Sequence, residues 1–225
     1  MNSFQIKLIA IVTMVIDHIG AFFFPEHLIF RTIGRLSFPL FSFLIANGAH
    51  YTKNINKYIG RMFIFALISQ LPYRAVLNTT STNGGYLNVL FTFFIALVAI
   101  SLIRKFRNKL LILATIVISC IVANHFDVDY GAFGILLIIS FYLLFKNYKA
   151  TILSFILLSV ANSIVPTINT DSINISKIDA APIISMFSLI FILAYNYKEG
   201  LRAKYLFYFF YPLQFFMIYV IKAII

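Results

Sequence analysis

The run FQIKLIAIVTMVIDHIGAFFF, residues 4–24, decides the fold class. Its length matches the roughly 20 residues a helix needs to cross a bilayer. Its apolar residues follow one another without the alternation of a membrane-barrel strand, so the run predicts a spanning helix. Lys7 and the apolar residues after it resemble a secretory signal. No small-residue cleavage site follows, however, and Asp17 interrupts the run, so we read a retained span.

Working outward, the rest of the chain has the same character. Hydrophobic residues make up 61% of the 225 and charged residues 11%, and the mean hydropathy is +0.94. A soluble domain carries about 25% charged residues, which its surface needs for solvation. This composition excludes an ordinary cytosolic enzyme, a disordered chain and a disulfide scaffold. Cys120 is the one cysteine, so neither a disulfide framework nor a cysteine-held zinc is available. Further apolar runs lie at 31–50, 58–77, 86–103, 110–124, 131–145, 150–166, 181–197 and 205–225. The reading is all-α: a polytopic transmembrane helical bundle of about nine spans, with residues 1–225 as a single membrane domain. Two polar connectors stand out, NTTSTNGG at 78–85 and the segment 167–179.

Basic residues set the orientation. Lys7, Lys53, Lys57, Arg61, Arg104, Lys105, Arg107, Lys109, Lys146, Lys149, Lys198, Arg202 and Lys204 fall on the amino-terminal side. Arg31, Arg35, Arg74, Lys177 and Lys222 fall on the other. Cytoplasmic loops are the Lys- and Arg-rich ones, so the amino terminus is expected inside and the carboxy terminus outside. The net charge of +11 is then mostly topology, with some attraction to anionic lipid. The basic residues are scattered over several loops, which argues against nucleic acid as a partner. No Trp is present, and Tyr takes the interfacial role.

Ionisable residues inside apolar runs are costly and each needs a reason. Asp17 and His18 sit in the first run, about 100° apart on a helix. A His at this depth can take a proton near neutral pH; a structural hydrogen bond would explain it equally. Arg31 and Arg35, in RTIGRLSFP, share a helix face at i, i+4. At the amino-terminal end of the second span they meet a positive helix end, which suggests an anionic partner, either Asp17 or a bound anion. Snorkelling to the interface is the plainer reading. Pro39 removes the helix bond to the Arg35 carbonyl and predicts a kink. Tyr73 and Arg74, then Asn88, then Asp129 and Tyr130 in NHFDVDYGAFG, fall on the outer side by parity. One outward polar cavity is the expectation. The His125, Asp127 and Asp129 spacing is too weak to assign a metal.

The blocks MVIDHIGAFFFP, RTIGRLSFPLFSFLIANG, YIGRMFIFALISQLPY, NVLFTF, DYGAFGILLI and YLFYFFYPLQF resemble the TraX family over nearly the whole chain. The resemblance implies a multi-pass protein of the bacterial cytoplasmic membrane. It also implies an acyltransferase: N-acetylation of a conjugative pilin with acetyl-CoA as donor. His18, Arg31 and Arg35 match the layout of the wider group of transmembrane acyltransferases. The last motif departs from the family pattern, which often ends YPLH, in having Gln214. Gln cannot take a proton at neutral pH, which favours His18 as the base. On this reading Asp17 or Asp129 orients His18, and Arg35, Asn88 and Tyr73 supply oxyanion or carbonyl donors. Arg31, Arg35, Lys53, Lys57 and Arg61 contact the cofactor, whose phosphates could also meet Arg104 or Lys105. Arg74, Asp129, Tyr130 and Gln214 complete the polar cluster around a peptide or pilin-like acceptor. A transporter with an outward-facing polar cavity, or an assembly partner without chemistry, would use the same composition.

Overall fold

The computed structural model describes residues 1–79, 87–168, 180–201 and 204–224, with the backbone alone for 165–168 and 204–207. Most of both polar connectors, Lys177, Arg202 and the Lys204 side chain lie outside what is described. The regular structure among the described residues is helical, apart from one isolated bridge between Leu87 and Val128. The helices are α1 Ser3–Phe23, α2 Leu28–Gly34, α3 Ser37–Tyr51, α4 Ile55–Leu77, α5 Val89–Ile103, α6 Lys109–His125, α7 Gly131–Leu143, α8 Tyr148–Ile168, α9 Ala181–Ser185, α10 Leu189–Leu193 and α11 Lys204–Ile224. A 3-10 turn, Met186–Ser188, joins α9 to α10. Ser3–Phe23 and Leu28–Tyr51 are long and apolar enough to cross a membrane.

Asparagine starts α1, α4, α5 and α6. Asn2 and Gln5 form a capping box, each side chain accepting from the other's backbone N–H at 2.9 Å. Asn54, Asn88 and Asn108 accept from Lys57, Leu90 and Leu110 at the starts of α4, α5 and α6. A helix's first N–H groups have no intrahelical partner, and an apolar environment makes leaving them bare expensive. The second apolar run is not one helix. It breaks at Arg35 and Leu36, where a continuous helix would need the amide hydrogen that Pro39 lacks. Pro39 instead occupies the first turn of α3, where no donor is required.

The chain divides into two compact units, Met1–Leu44 with Leu143–Arg202 and Ile45–Tyr142 with Ala203–Ile225. In the first, α1 packs on α2 and α8 on α9, around Ile6, Ala10, Leu40, Phe155 and Ile192. In the second, α4 packs on α5 and α11, and α5 on α6, around Met62, Leu97, Ile100, Ile138 and Phe215. Glycine sets the closeness of α1 and α2: a Cβ on Gly20 would lie 2.3 Å from the Cβ of Phe30. Gly20→Ala is therefore expected to push the pair apart and cost about 1–3 kcal/mol. A lowered thermal midpoint in detergent checks it, and an unchanged midpoint would refute this packing.

Candidate functional site

The first unit gathers its charges at the α1–α2 contact. Arg31 Nη1 donates to Asp17 Oδ2 at 2.8 Å, with the two side chains 32% and 15% exposed. Gly34 lies flush against the carboxylate, since a Cβ there would come 2.2 Å from Asp17 Oδ1. That oxygen is buried and accepts no hydrogen bond. Arg35 is the second cation in electrostatic range of Asp17. Beside them on α1, His18 is half-buried, its ring centroid 6.3 Å from that of Phe22. A carboxylate and two guanidinium groups thus converge on one hairpin, with an imidazole on the residue after the carboxylate.

The break at Arg35 corrects the dipole argument made from sequence. Arg31 lies in the last turn of α2 and Arg35 is its C-cap, donating its N–H to the Arg31 carbonyl at 3.1 Å. Carbonyl ends attract cations, so for these arginines the helix end is a favourable neighbour. The anionic partner they still have is Asp17.

The second unit holds another polar group, centred on the start of α5. Asn88 is fully buried. Its amide nitrogen donates to the Ala66 carbonyl at 2.9 Å and to Gln70 Oε1 at 2.7 Å, while its Oδ1 caps Leu90. The same Gln70 oxygen accepts the Asn88 backbone N–H at 3.0 Å. Both side-chain donors of Asn88 are therefore committed to tying α4 to α5. Next to it, the buried Tyr211 hydrogen-bonds the backbone of Val89 and feels Asp129, Tyr73 and Tyr130. Tyr73 and Tyr211 both pack against Phe215, with centroids 5.2 and 5.0 Å away. Gln214 is buried and Arg74 exposed.

The loop carrying Asp129 is a built turn. Across the bridge Leu87 donates its N–H to the Asp127 carbonyl at 3.1 Å and accepts the Asp129 N–H at 2.9 Å, and Thr92 Oγ1 donates to the Asp129 carbonyl. Asp127 and Tyr130 take left-handed backbone angles there, φ 45° and 63°.

Of the basic residues predicted for the cofactor, Arg31 and Arg35 lie in the first unit and Lys53, Lys57 and Arg61 in the second. Lys53 and Lys57 are exposed. Arg61 is half-buried, its guanidinium carbon 5.8 Å from the Tyr58 ring centroid, and its Nε is buried without a hydrogen bond. Arg104 is held structurally: its Nε donates to the Tyr142 hydroxyl at 3.0 Å and its Nη2 to the Ala49 carbonyl. His50 Nε2 donates to the Tyr142 carbonyl at 2.8 Å, and its ring stacks on that tyrosine.

The expected site residues thus fall into sets. Asp17, Arg31 and Arg35 come together in the first unit, with His18 next to Asp17 on α1. Tyr73, Asn88, Asp129 and Tyr130 come together in the second, with Lys53, Lys57 and Arg61 elsewhere on its elements. Sequence reasoning missed Tyr211 as a member of this group. The signal was present: Tyr211, Gln214 and Phe215 lie at i, i+3 and i+4 on one face.

The TraX protein family matches residues 3–222. The chain belongs to the TraX family. A probable fimbrial assembly protein, FimC of serogroup H1 from Dichelobacter nodosus, is 26% identical over 95% of this chain and 92% of its own length. An uncharacterized protein of Rickettsia prowazekii is 30% identical over 40% of this chain and 36% of its own. No solved structure gives a significant match.

Two measurements check this geometry in the TraX-family fold. Asn88→Ala removes a cap worth about 1 kcal/mol and strands the Gln70 and Ala66 acceptors at about 1–3 kcal/mol each. It should lower the thermal midpoint more than Arg74→Ala, and the reverse ranking would refute the assignment. A double-mutant cycle of Asp17→Ala and Arg31→Ala should give a coupling of about 1–2 kcal/mol. Additive effects would mean that the pair is not formed.

Proposed function

We propose that this chain is an integral membrane acyltransferase that moves an acetyl group from acetyl-CoA to a primary amine. The amine we assign is the amino terminus of a membrane or exported peptide such as a pilin. The observation that carries the reading is the α1–α2 hairpin, where Asp17 meets Arg31 and Arg35 within apolar helices and His18 follows Asp17 on α1. Ionisable groups at such depth are retained for function. Membership of the TraX family and the fimbrial assembly relative support the same direction.

The burial pattern supports a helical bundle with lipid around it, which we read as about nine spans with the amino terminus inside. Large apolar side chains point outward in helical stripes: Leu113, Val117 and Ile121 on α6, Leu153, Leu157 and Val160 on α8, Leu213, Phe216 and Met217 on α11. Polar Ser42, Ser69, Ser159 and Asn88 are inside. This inversion suits lipid as the solvent. The uneven distribution of lysine and arginine sets the orientation.

In this mechanism the donor would supply an activated acyl carbonyl, and the chain would supply a base and a carbonyl donor. His18 takes the proton of the attacking amine and returns it to the leaving thiolate as the C–N bond forms and the C–S bond breaks. Arg35 donates to the acyl oxygen as charge builds there. Arg31 holds Asp17, which fixes the local field of the hairpin, so the orienting carboxylate acts through that pair. Asn88, with its donors committed, is a positioning residue for the second polar group, beside Tyr73, Asp129, Tyr130 and Gln214. Lys53, Lys57 and Arg61 are the proposed phosphate contacts.

The test is transfer of acetyl to an amine-ended peptide by the protein in nanodiscs, read by mass spectrometry. His18→Ala should lower kcat about 10²–10⁴-fold with an unchanged thermal midpoint. Arg35→Ala should weaken both acetyl-CoA binding and turnover. Wild-type rates in His18→Ala would remove it as the base. Absence of acetyl-CoA binding at millimolar concentration would turn the reading toward a transporter.

A further inference from the structure

The first unit carries a second charged feature, away from the α1–α2 hairpin, that the proposed chemistry does not use. The turn between α7 and α8 meets the segment after α10. Phe145 meets Tyr197 edge to face at 5.6 Å, and Tyr148 and Tyr195 lie 6.4 and 4.8 Å from the same ring. Tyr195 is buried and anchored against Phe43 at 5.4 Å. Over this aromatic floor sits Lys146, its Nζ 5.5 Å from the Phe145 centroid and 5.3 Å from that of Tyr197.

This arrangement is maintained against backbone cost. Lys146 and Tyr197 both take left-handed angles, φ 63° and 60°, which non-glycine residues rarely adopt. Such residues persist where surrounding contacts over-determine them, and they cluster at ligand clamps. The segment is held from behind as well: Ser3 N donates to the Lys198 carbonyl at 2.8 Å and Phe4 N to that of Glu199 at 3.2 Å. Lys198 and Lys149 are exposed on the same rim. The acid within these segments is Glu199, which lies in electrostatic range of Lys7 on α1. The rim is therefore cationic and pre-organised, with Lys146 held by cation–π contact and still able to donate.

What lies beside the lysines identifies the ligand. Leu143, Leu153, Leu193 and Leu201 are 49%, 59%, 42% and 71% exposed. At the ends of α7 and α10 the order is the same: an exposed leucine, Leu143 or Leu193, then Phe145 or Tyr195 and Tyr197, then Lys146 or Lys198. This sequence of surfaces reproduces hydrocarbon, interface and headgroup phosphate in a bilayer leaflet. A soluble phosphate compound would have no use for the leucines.

We propose that this rim, Lys146, Lys149 and Lys198 over Phe145, Tyr148 and Tyr197, binds the phosphate of an anionic phospholipid headgroup. The lipid's acyl chains lie along the flanking leucines. The inference rests on the membrane reading above but not on acyl transfer.

Native mass spectrometry with phosphatidylglycerol and phosphatidylcholine tests it. Phosphatidylglycerol should be retained in preference, and Lys146→Gln with Lys198→Gln should weaken retention about fivefold per lysine. Arg107→Gln with Lys109→Gln removes the same charge from the second unit and should leave retention unchanged. Tyr197→Leu keeps every charge but removes the floor, and should weaken retention. Thermal midpoints in phosphatidylcholine nanodiscs establish that each variant is folded. Equal losses from both charge pairs would reduce the site to diffuse attraction and overturn the proposal, as would equal retention of the two lipids. Displacement of phosphatidylglycerol by acetyl-CoA would reassign the rim to the donor. Failure of the wild type to enter any nanodisc would overturn the membrane reading, and this site with it. Loss of lipid preference alone would leave acyl transfer standing.

Discussion

Backbone polar groups in an apolar chain have to be satisfied by the chain itself, and this structure depends on that constraint. Helices answer it along their length but not at their ends. Asparagine side chains at positions 2, 54, 88 and 108 answer it at the starts of four helices. At Asn88 the requirement extends to tertiary structure. One amide caps α5, bonds the α4 backbone and meets Gln70, so the cap and the helix–helix contact are the same set of bonds. Tyr211 brings α11 to the adjacent N–H group. The helix start that most needs donors covered is thereby the junction of the second unit.

The same economy governs charge. Asp17 is kept inside by Arg31, and Gly34 allows the two helices to close on the carboxylate. Removing the pair's partner would leave a buried ion, which is why the contact constrains both helices strongly. Arg35 gains a favourable neighbour because α2 ends there. Arg104 and His50 are likewise satisfied by backbone carbonyls and by Tyr142. The buried ionisable groups are thus mostly partnered. Among the described residues Asp17 Oδ1 is a buried charged acceptor without a hydrogen bond, and the proposed chemistry is sought beside it.

Much of this was legible in the residues. The nine apolar runs correspond to the helical stretches within a few positions at most ends. Pro39 announced the break after Arg35, because a missing amide hydrogen has a local consequence whatever surrounds it. An Asp17–Arg31 pairing could be anticipated, since a buried carboxylate needs a cation and one lay in the next run. The dipole expectation for Arg31 and Arg35 failed, because it assumed an unbroken helix through them. Asn88 read as a donor for a substrate. Its commitments to Ala66 and Gln70 depend on how α4 approaches α5, and no local pattern states that.

Sequence by itself determined the helical class, the places where helices start and stop, and the family. These follow from apolar run length, asparagine caps and prolines, all of which act within a few residues along the chain. Tertiary structure alone decided which polar groups are spent on holding the fold and which are left for chemistry or ligands. Tyr211 joined the second polar group, Arg104 became a helix-end lock, and Lys146 came to rest over Phe145 and Tyr197. Those outcomes depend on distances between residues far apart in the chain. Hydrogen bonds and cation–π contacts fall away within a few ångströms, so their assignment waits on the packed helices.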